Sequence, residues 1–525
     1  MNAWASDYLL LGWAVISIFS IGIAVCHLAT RLRGIELIGY GAGVGVVIHG
    51  LVGLIMGALP SIRPAVVALF FFLPFASLVY AWWRAVWSEL LGQLSRKIRW
   101  SLSLWLLFLV LCVGIIHVDV TFPATLPDGR YVLKQHTLNV KIQYMTSLPC
   151  DNYIPYIVTE YLLRGISFKE ERPILPANEV SNRTILMSLV ALPFRAVLGV
   201  AEAPKPLGTF HYVGRDWPDV EKLNQNRYFE QFLIIGILLN SLLLVGLLVL
   251  FSKLDAQKIL VAGTLLCMTN PYFLWQTIFI WPKAFAGFFI LLAWNSLYSK
   301  HDPKLVALCA GLAYNCHPYA VAFAAPLALV YLWQWWNGSA GFRNFIGFAV
   351  VFLLSILPWL LWTRGYLGIP SDLIAQNFFI PGGQASIVDF IWIRLKNLFD
   401  LLTPRFFALY PFNAAAIVDN YVTCLPGAVG LLVIGPALFQ LTRFPVELRW
   451  QIIVPAIAIL VVFSAPSVPI LHGYQPIVGT LIFLGLLSLR DVVSPLAFRV
   501  LLVLQLLCNV GLIAMQAWVV GVHAS

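Results

Sequence analysis

The sequence predicts an all-α, polytopic integral membrane protein with about fourteen transmembrane helices. Three observations predict it. Hydrophobic residues make up 60% of the 525 positions and charged residues only 11%, against about 25% charged in soluble domains. The mean hydropathy is +0.86. Solid apolar runs recur, among them "DYLLLGWAVISIFSIGIAVCHLA", "FLIIGILLNSLLLVGLLVLF" and "RVLLVLQLLCNVGLIAMQAWVV", each long enough to cross a bilayer. A transmembrane β-barrel would instead alternate in segments of about ten residues.

In chain order the apolar runs centre near Phe19, Val47, Ala76, Val110, Asn240, Met268, Ile290, Gly311, Ala328, Leu354, Leu432, Ile459, Thr480 and Leu506. The pair near Gly311 and Ala328 is short, which suits re-entrant, tilted or broken helices. The basic residues orient the spans. Arg31 and Arg33 follow the first, and Arg84, Arg96, Lys97 and Arg99 separate the third from the fourth. Lys253, Lys258, Lys300, Lys304, Arg343, Arg443, Arg449, Arg490 and Arg499 flank alternate later loops, whereas the intervening short loops carry chiefly Arg63. By the positive-inside rule the basic loops are cytoplasmic and both termini lie outside. The first span lacks a basic leader and reads as a retained span.

This topology places two long polar stretches outside, Asp119 to Tyr228 and Arg364 to Tyr421. The first contains "YIPYIVTEYLLRG", apolar at helical spacing, and "RTILMSLVALPFRAVLG", interrupted by Pro193. Both are expected to lie flat at the interface. The chain divides into an appended three-span block (1–99), a core with the large loop (100–365, loop 119–228) and a C-terminal part with the second loop and remaining four spans (366–525).

The formal charge of +10 comes from 33 basic and 23 acidic residues. Its clustering at span ends fits topology and anionic lipid rather than nucleic acid. The eight cysteines show no zinc spacing. Cys150 and Cys424 both fall outside; either they pair or they are unrelated boundary residues.

The candidate acids are Asp151, ahead of the first amphipathic helix, and Asp119, beside His117 after the fourth span. Asp151 suits an N-cap or a general base. Candidate phosphate-binding residues on the outer side are Tyr153, Arg172, Arg183, Lys283, His317, Arg364, Arg405 and His472. Singly, each reads as an ordinary interfacial residue. Converging on one side, the cations would clamp a lipid-linked phosphate.

The segments "DNYIPYIVTEYLLRG", "NRTILMSLVALPFRAVLG", "WPKAFAGFFILLAW" and "LVALCAGLAYNCHPYAVAF" resemble the GT-C superfamily of polyprenyl-phosphate-sugar-dependent integral membrane glycosyltransferases. The resemblance covers roughly residues 100–365. It implies a bacterial inner-membrane enzyme of cell-envelope glycan synthesis, active on the outer face. A sugar would pass from a polyprenyl-phosphate donor to a glycan, lipid or protein acceptor, with Asp151 as base. Lys283, Arg364 and Arg405 would meet the leaving charge. Members differ in using a divalent metal, so a metal stays open. Two departures stand out: Asn152 follows Asp151 where many members carry a second acid, and the second motif reads Asn182-Arg183-Thr184. These leave room for a catalytically silent assembly subunit. Length and proline-broken helices also suit a transporter or flippase of a lipid-linked or amphipathic glycan.

Overall fold

The computed structural model describes residues 3–117, 122–125, 131–134, 153–171, 179–199, 207–212, 215–223, 228–254, 256–369, 371, 386–402, 430–462 and 473–524. The chain opens with helices α1 (Ala3–Ala29), α2 (Gly34–Ala58), α3 (Arg63–Trp83), α4 (Val86–Gln93) and α5 (Arg96–Ile116). An antiparallel hairpin follows, β1 (Phe122–Thr125) with β2 (Tyr131–Lys134). Then come α6 (Ile154–Arg164), α7 (Leu186–Val197) and a second hairpin, β3 (Thr209–Tyr212) with β4 (Arg215–Pro218). The helical core resumes with α8 (Tyr228–Lys253), α9 (Leu260–Thr269), α10 (Pro271–Ile278), α11 (Lys283–Tyr298), α12 (Pro303–Cys316) and α13 (Val321–Trp336). It ends with α14 (Phe342–Leu360), α15 (Ile387–Leu402), α16 (Leu431–Arg443), α17 (Val446–Val462), α18 (Gln475–Val492) and α19 (Pro495–Ala524).

Every predicted span centre falls inside a helix, but the expected fourteen spans are not found. Among the described residues eight helices are long and apolar enough to cross a membrane, or nine if a bent pair counts as one span. The eight are α1, α2, α3, α5, α8, α14, α18 and α19; the bent pair is α10 and α11, which meet at 111°. The shortfall has a local cause. Asn270 caps α10 by accepting from the Tyr272 N–H at 2.9 Å, which stops α9 at ten residues. His317 and Pro318 part α12 from α13, at 14 and 16 residues. At about 1.5 Å per residue such helices fall short of a ~30 Å hydrocarbon core.

The basic ends collect on one side. Lys253 at the end of α8 pairs with Glu36 at the start of α2 at 3.0 Å. Asn295 near the end of α11 donates to the same Glu36 at 3.2 Å. The Gly34 N–H donates to Gln93 Oε1 of α4 at 2.8 Å. At the other end, Asp7 of α1 meets His117 after α5 at 3.0 Å. This end also holds the helices of the first large loop, so it is called the loop side below.

The core centres on α8, whose apolar window is 100% buried. Around it, α3, α14 and α19 turn mostly exposed apolar side chains outward, as lipid-facing helices do. The second helix is a hub because its glycines let backbones meet. A Cβ at Gly45 would overlap the Ile18 carbonyl of α1, and one at Gly53 the Leu189 carbonyl of α7. Gly39 faces Val249 of α8 and Leu292 of α11. The same buried cluster runs from α1 through α18.

Of the two first-loop helices, α7 does not lie flat as expected. Leu186 sits on Gly50 and Leu189 on Gly53, so α7 runs beside the loop-side half of α2. Leu162 of α6 sits on Gly57. Both helices are buried along most of their length, because an all-glycine seam costs no side-chain volume.

Gly53→Leu is expected to destabilise the protein by about 1–3 kcal/mol or more through overpacking. Gly12→Leu, whose Cβ direction is empty, should be near neutral. Thermal unfolding of both variants in one detergent checks this; equal midpoints would contradict the seam.

Candidate functional site

The first loop is organised by a carboxylate. Glu160 of α6 lies fully buried between two arginines. Arg164, one turn on, donates from Nε to Glu160 Oε2 at 2.9 Å. Arg195 of α7 donates from Nε to Glu160 Oε1 at 2.8 Å. The Arg195 guanidinium lies 3.9 Å from the Tyr228 ring centroid and that of Arg164 lies 5.5 Å from it, so the first residue of α8 joins the group. Arg164 Nη2 and the Tyr156 hydroxyl both donate to the Leu223 carbonyl at 2.8 Å. One network thus ties α6, α7, the turn Val220–Leu223 and the head of α8. Gly165, at φ 66, ends α6 in the left-handed conformation that glycine tolerates. Arg63 adds a brace from the other side, donating from Nη1 to the Leu163 carbonyl at 2.5 Å and from Nε to the Met56 carbonyl at 3.2 Å.

Between α6 and α7 the chain descends into the bundle. The turn Val180–Asn182 is buried, as are Arg183 and Thr184. Thr184 Oγ1 donates to the Tyr314 carbonyl of α12 at 3.0 Å. Arg183 Nη1 donates to the Asn182 carbonyl at 2.9 Å. Ser371, from the second long loop, donates to Asn182 Oδ1 at 3.2 Å. The two loops therefore meet on the "NRT" segment.

The depth of this meeting point is fixed by α8. Asn240, thirteenth of its 26 residues, accepts from the Phe285 N–H at 3.2 Å and donates to the Gln276 carbonyl at 3.1 Å. The break between α10 and α11 is thus level with the middle of α8. Gln475, first residue of α18, donates to Gln276 Oε1 at 3.2 Å. Lys283 begins α11 at this level with its side chain fully buried and Nζ 3.1 Å from the Trp281 ring centroid. The Tyr319 hydroxyl donates to the Lys283 carbonyl at 2.7 Å, and the Tyr319 N–H donates to His317 Nδ1 at 3.3 Å. The positive charges of Arg183 and Lys283 both act on the His317 ring. His317 Nε2 is buried and has no hydrogen-bond partner among the described residues. Gly473, at φ 138, packs against the Tyr319 ring, so the turn before α18 closes over the group.

The α10–α11 break, the α12–α13 break and the start of α18 thus share one level, where Lys283 and His317 form a buried polar cluster. Such an arrangement can hold an anion: two cations, an imidazole and the N-terminus of the 16-residue α11. Of the predicted residues it brings together Arg183, Lys283 and His317. Arg364 lies on the π-helical turn Leu361–Tyr366, exposed, where its charge acts on the Tyr314 phenol. Being exposed, it is not part of the buried cluster. Tyr153 stands elsewhere, in an aromatic group with Tyr156 and Phe229. Phe229 precedes Asn240 by eleven residues of α8, about 16 Å. Tyr153 holds the N-cap position of α6, which Asp151 was a candidate to fill. Asp119, Asp151, Arg172, Arg405, His472, Cys150 and Cys424 lie outside the described residues. Lys283, expected at the loop-side rim of a span, is instead deep in the bundle, because the 111° bend removes the outer half of that span.

The sequence reading missed the Glu160 clamp. Its signal was present: an acid and an arginine one helical turn apart within "TEYLLRG", on a segment otherwise apolar. The six described cysteines are free thiols, five of them buried. Among the described residues no group of three or more His, Cys, Asp or Glu could hold a metal ion.

No family model, no curated protein and no solved structure matches this chain. The class rests on its own features: a helical integral membrane protein with buried polar and basic side chains level with the middle of its central helix.

Glu160→Gln should destabilise the protein by about 3–5 kcal/mol, because two buried arginines lose their counter-charge. Thermal unfolding in detergent reads this. A loss under about 1 kcal/mol, the size of an exposed pair, would show that the clamp does not organise the loop.

Proposed function

We propose that this chain is a GT-C-type glycosyltransferase that moves a sugar from a polyprenyl-phosphate donor to an acceptor at the loop side of the membrane. The observation that carries the reading is the buried mid-depth cluster in which Tyr319 ties Lys283 to His317, with buried Arg183 near enough to act on the imidazole; we read it as a phosphate chamber. Basic side chains and an imidazole at that depth are what an intramembrane anion site uses. A lipid phosphate supplies the anion while its tail runs between spans.

In this reading the acceptor oxygen attacks the anomeric carbon as the bond from that carbon to the phosphate oxygen breaks. Polyprenyl phosphate leaves, and its charge meets Lys283 and Arg183, with Arg364, Arg405 and His472 as further anion-binding candidates. Asp151 takes the acceptor hydroxyl proton. His317 Nε2, bare among the described residues, accepts from a donor hydroxyl or water. The side that carries the loops is the outer face of an inner membrane, and both termini share it. A divalent metal remains compatible with this chemistry.

A second reading is favoured by a specific observation. The bent α10–α11 pair and the deep Lys283 are what a carrier of lipid-linked anions would place at mid-depth. The chamber would then serve translocation, with no bond broken.

Full-length protein in proteoliposomes, given a labelled polyprenyl-phosphate sugar, separates the two. Expected are sugar transfer by the wild type, a loss of about 10²–10⁴-fold in Asp151→Asn with donor retained, and loss of donor retention in Lys283→Met. Full activity in Asp151→Asn would end its assignment as base. Translocation of the donor by the wild type, without transfer, would replace the enzyme by the carrier.

A further inference from the structure

A second site lies at the opposite, basic side. A cavity of 1240 Å³ opens between the ends of α11, α12, α13, α14 and α17. It exceeds the ~300–1,000 Å³ of most small-molecule pockets. Its mouth carries Lys300, Lys304 and Arg343, all exposed. None of the three makes an ion pair among the described residues. The carboxylates nearby are Asp302 and Glu447. Asp302 is engaged in capping α12, where it accepts from the Lys304 N–H at 2.8 Å. His301 also lines the mouth, and its Nδ1 is buried without a hydrogen-bond partner.

Away from the mouth the lining becomes apolar. Pro326, Leu329 and Val330 of α13 face Val454 of α17. From Trp333 to Pro326, and from Val446 to Val454, each wall extends about 10–12 Å along its helix. Trp333 and Trp450 flank the entrance and are 64% and 52% exposed, which suits side chains at headgroup level. A cationic mouth at the membrane surface above an apolar cleft matches one ligand chemistry: an anionic headgroup joined to acyl chains.

We infer that this cavity is a binding site for an anionic phospholipid of the basic-side leaflet. The phosphate lies among Lys300, Lys304 and Arg343 and an acyl chain lies between α13 and α17. Basic pockets between transmembrane helices recognise such headgroups through charge and held geometry, whereas ordinary boundary lipid has no cleft to enter. The inference is independent of the glycosyl-transfer reading, since the site is on the other side from the chamber.

The test uses purified full-length protein, delipidated in detergent and supplied with phosphatidylglycerol or phosphatidylcholine, and native mass spectrometry to count retained lipid. Wild type is expected to retain phosphatidylglycerol preferentially. The combined variant Lys300→Gln, Lys304→Gln, Arg343→Gln should weaken retention at least about ten-fold. Leu329→Trp, which fills the cleft without touching charge, should do the same. The combined variant Arg31→Gln, Arg96→Gln, Arg499→Gln removes equal charge from the same side outside the cavity and should retain lipid as the wild type does. Equal retention of the two lipids, or equal loss in the outside variant, would overturn the site. Displacement of the lipid by millimolar inorganic phosphate alone would also overturn it, because a bare anion site needs no acyl cleft.

Discussion

The carboxylate of Glu160, held between Arg164 and Arg195, is the contact on which the loop side depends. Alone, each charge would be intolerable where it lies, since all three are buried. Together they form a group of net charge +1 whose excess rests on the Tyr228 ring. The group does not add stability by being ionic; an apolar trio of the same shape would do as well or better. It adds specificity. A helix of the first loop can dock in many registers on an apolar surface, but only one brings two guanidinium groups to one carboxylate. That register fixes α6 against α7 and both against the head of α8. It also fixes the descent from Glu179 to Ile185, and with it Arg183.

The second constraint is the shared level of the helix breaks. Asn240 reaches from the wholly buried α8 to the backbone on both sides of the α10–α11 bend. Without those bonds a peptide break in an apolar bundle would leave unpaired backbone groups, which is prohibitive away from water. The cost of interruption is met by side-chain amides, and the gain is that Lys283 and His317 are held together at mid-depth from different helices. Structure and chemistry meet here: the residues that make the break tolerable also adjoin the proposed phosphate chamber.

Much of the architecture is legible in the sequence, and the reasons for the rest are physical. Apolar runs located the longer core helices but not α4, α10 or α15, because burial in lipid or protein demands the same residues. They could not separate a full span from two halves, because Asn270 and His317 interrupt hydropathy by only a residue or two. For the same reason Lys283 read as a surface lysine. Arg183 and His317 were named from their side of the membrane and prove close enough for the one's charge to act on the other's ring, whereas Tyr153, named with them, belongs to a separate aromatic group. Glu160 escaped notice since its partner Arg195 is 35 residues away and meets it only after α7 docks. The glycines of α2 carry no chemistry and signal packing only once their neighbours are known.

The claim at the centre is that the chamber formed by Arg183, Lys283 and His317 holds the phosphate of a polyprenyl lipid. A cryo-electron microscopy map of the full-length protein in lipid nanodiscs, loaded with polyprenyl phosphate, tests it most directly. Phosphate density within hydrogen-bonding distance of Lys283 and Arg183, absent from the Lys283→Met variant, is the predicted result. An occupied lipid with its phosphate at the membrane surface, and no density in the chamber, would contradict it.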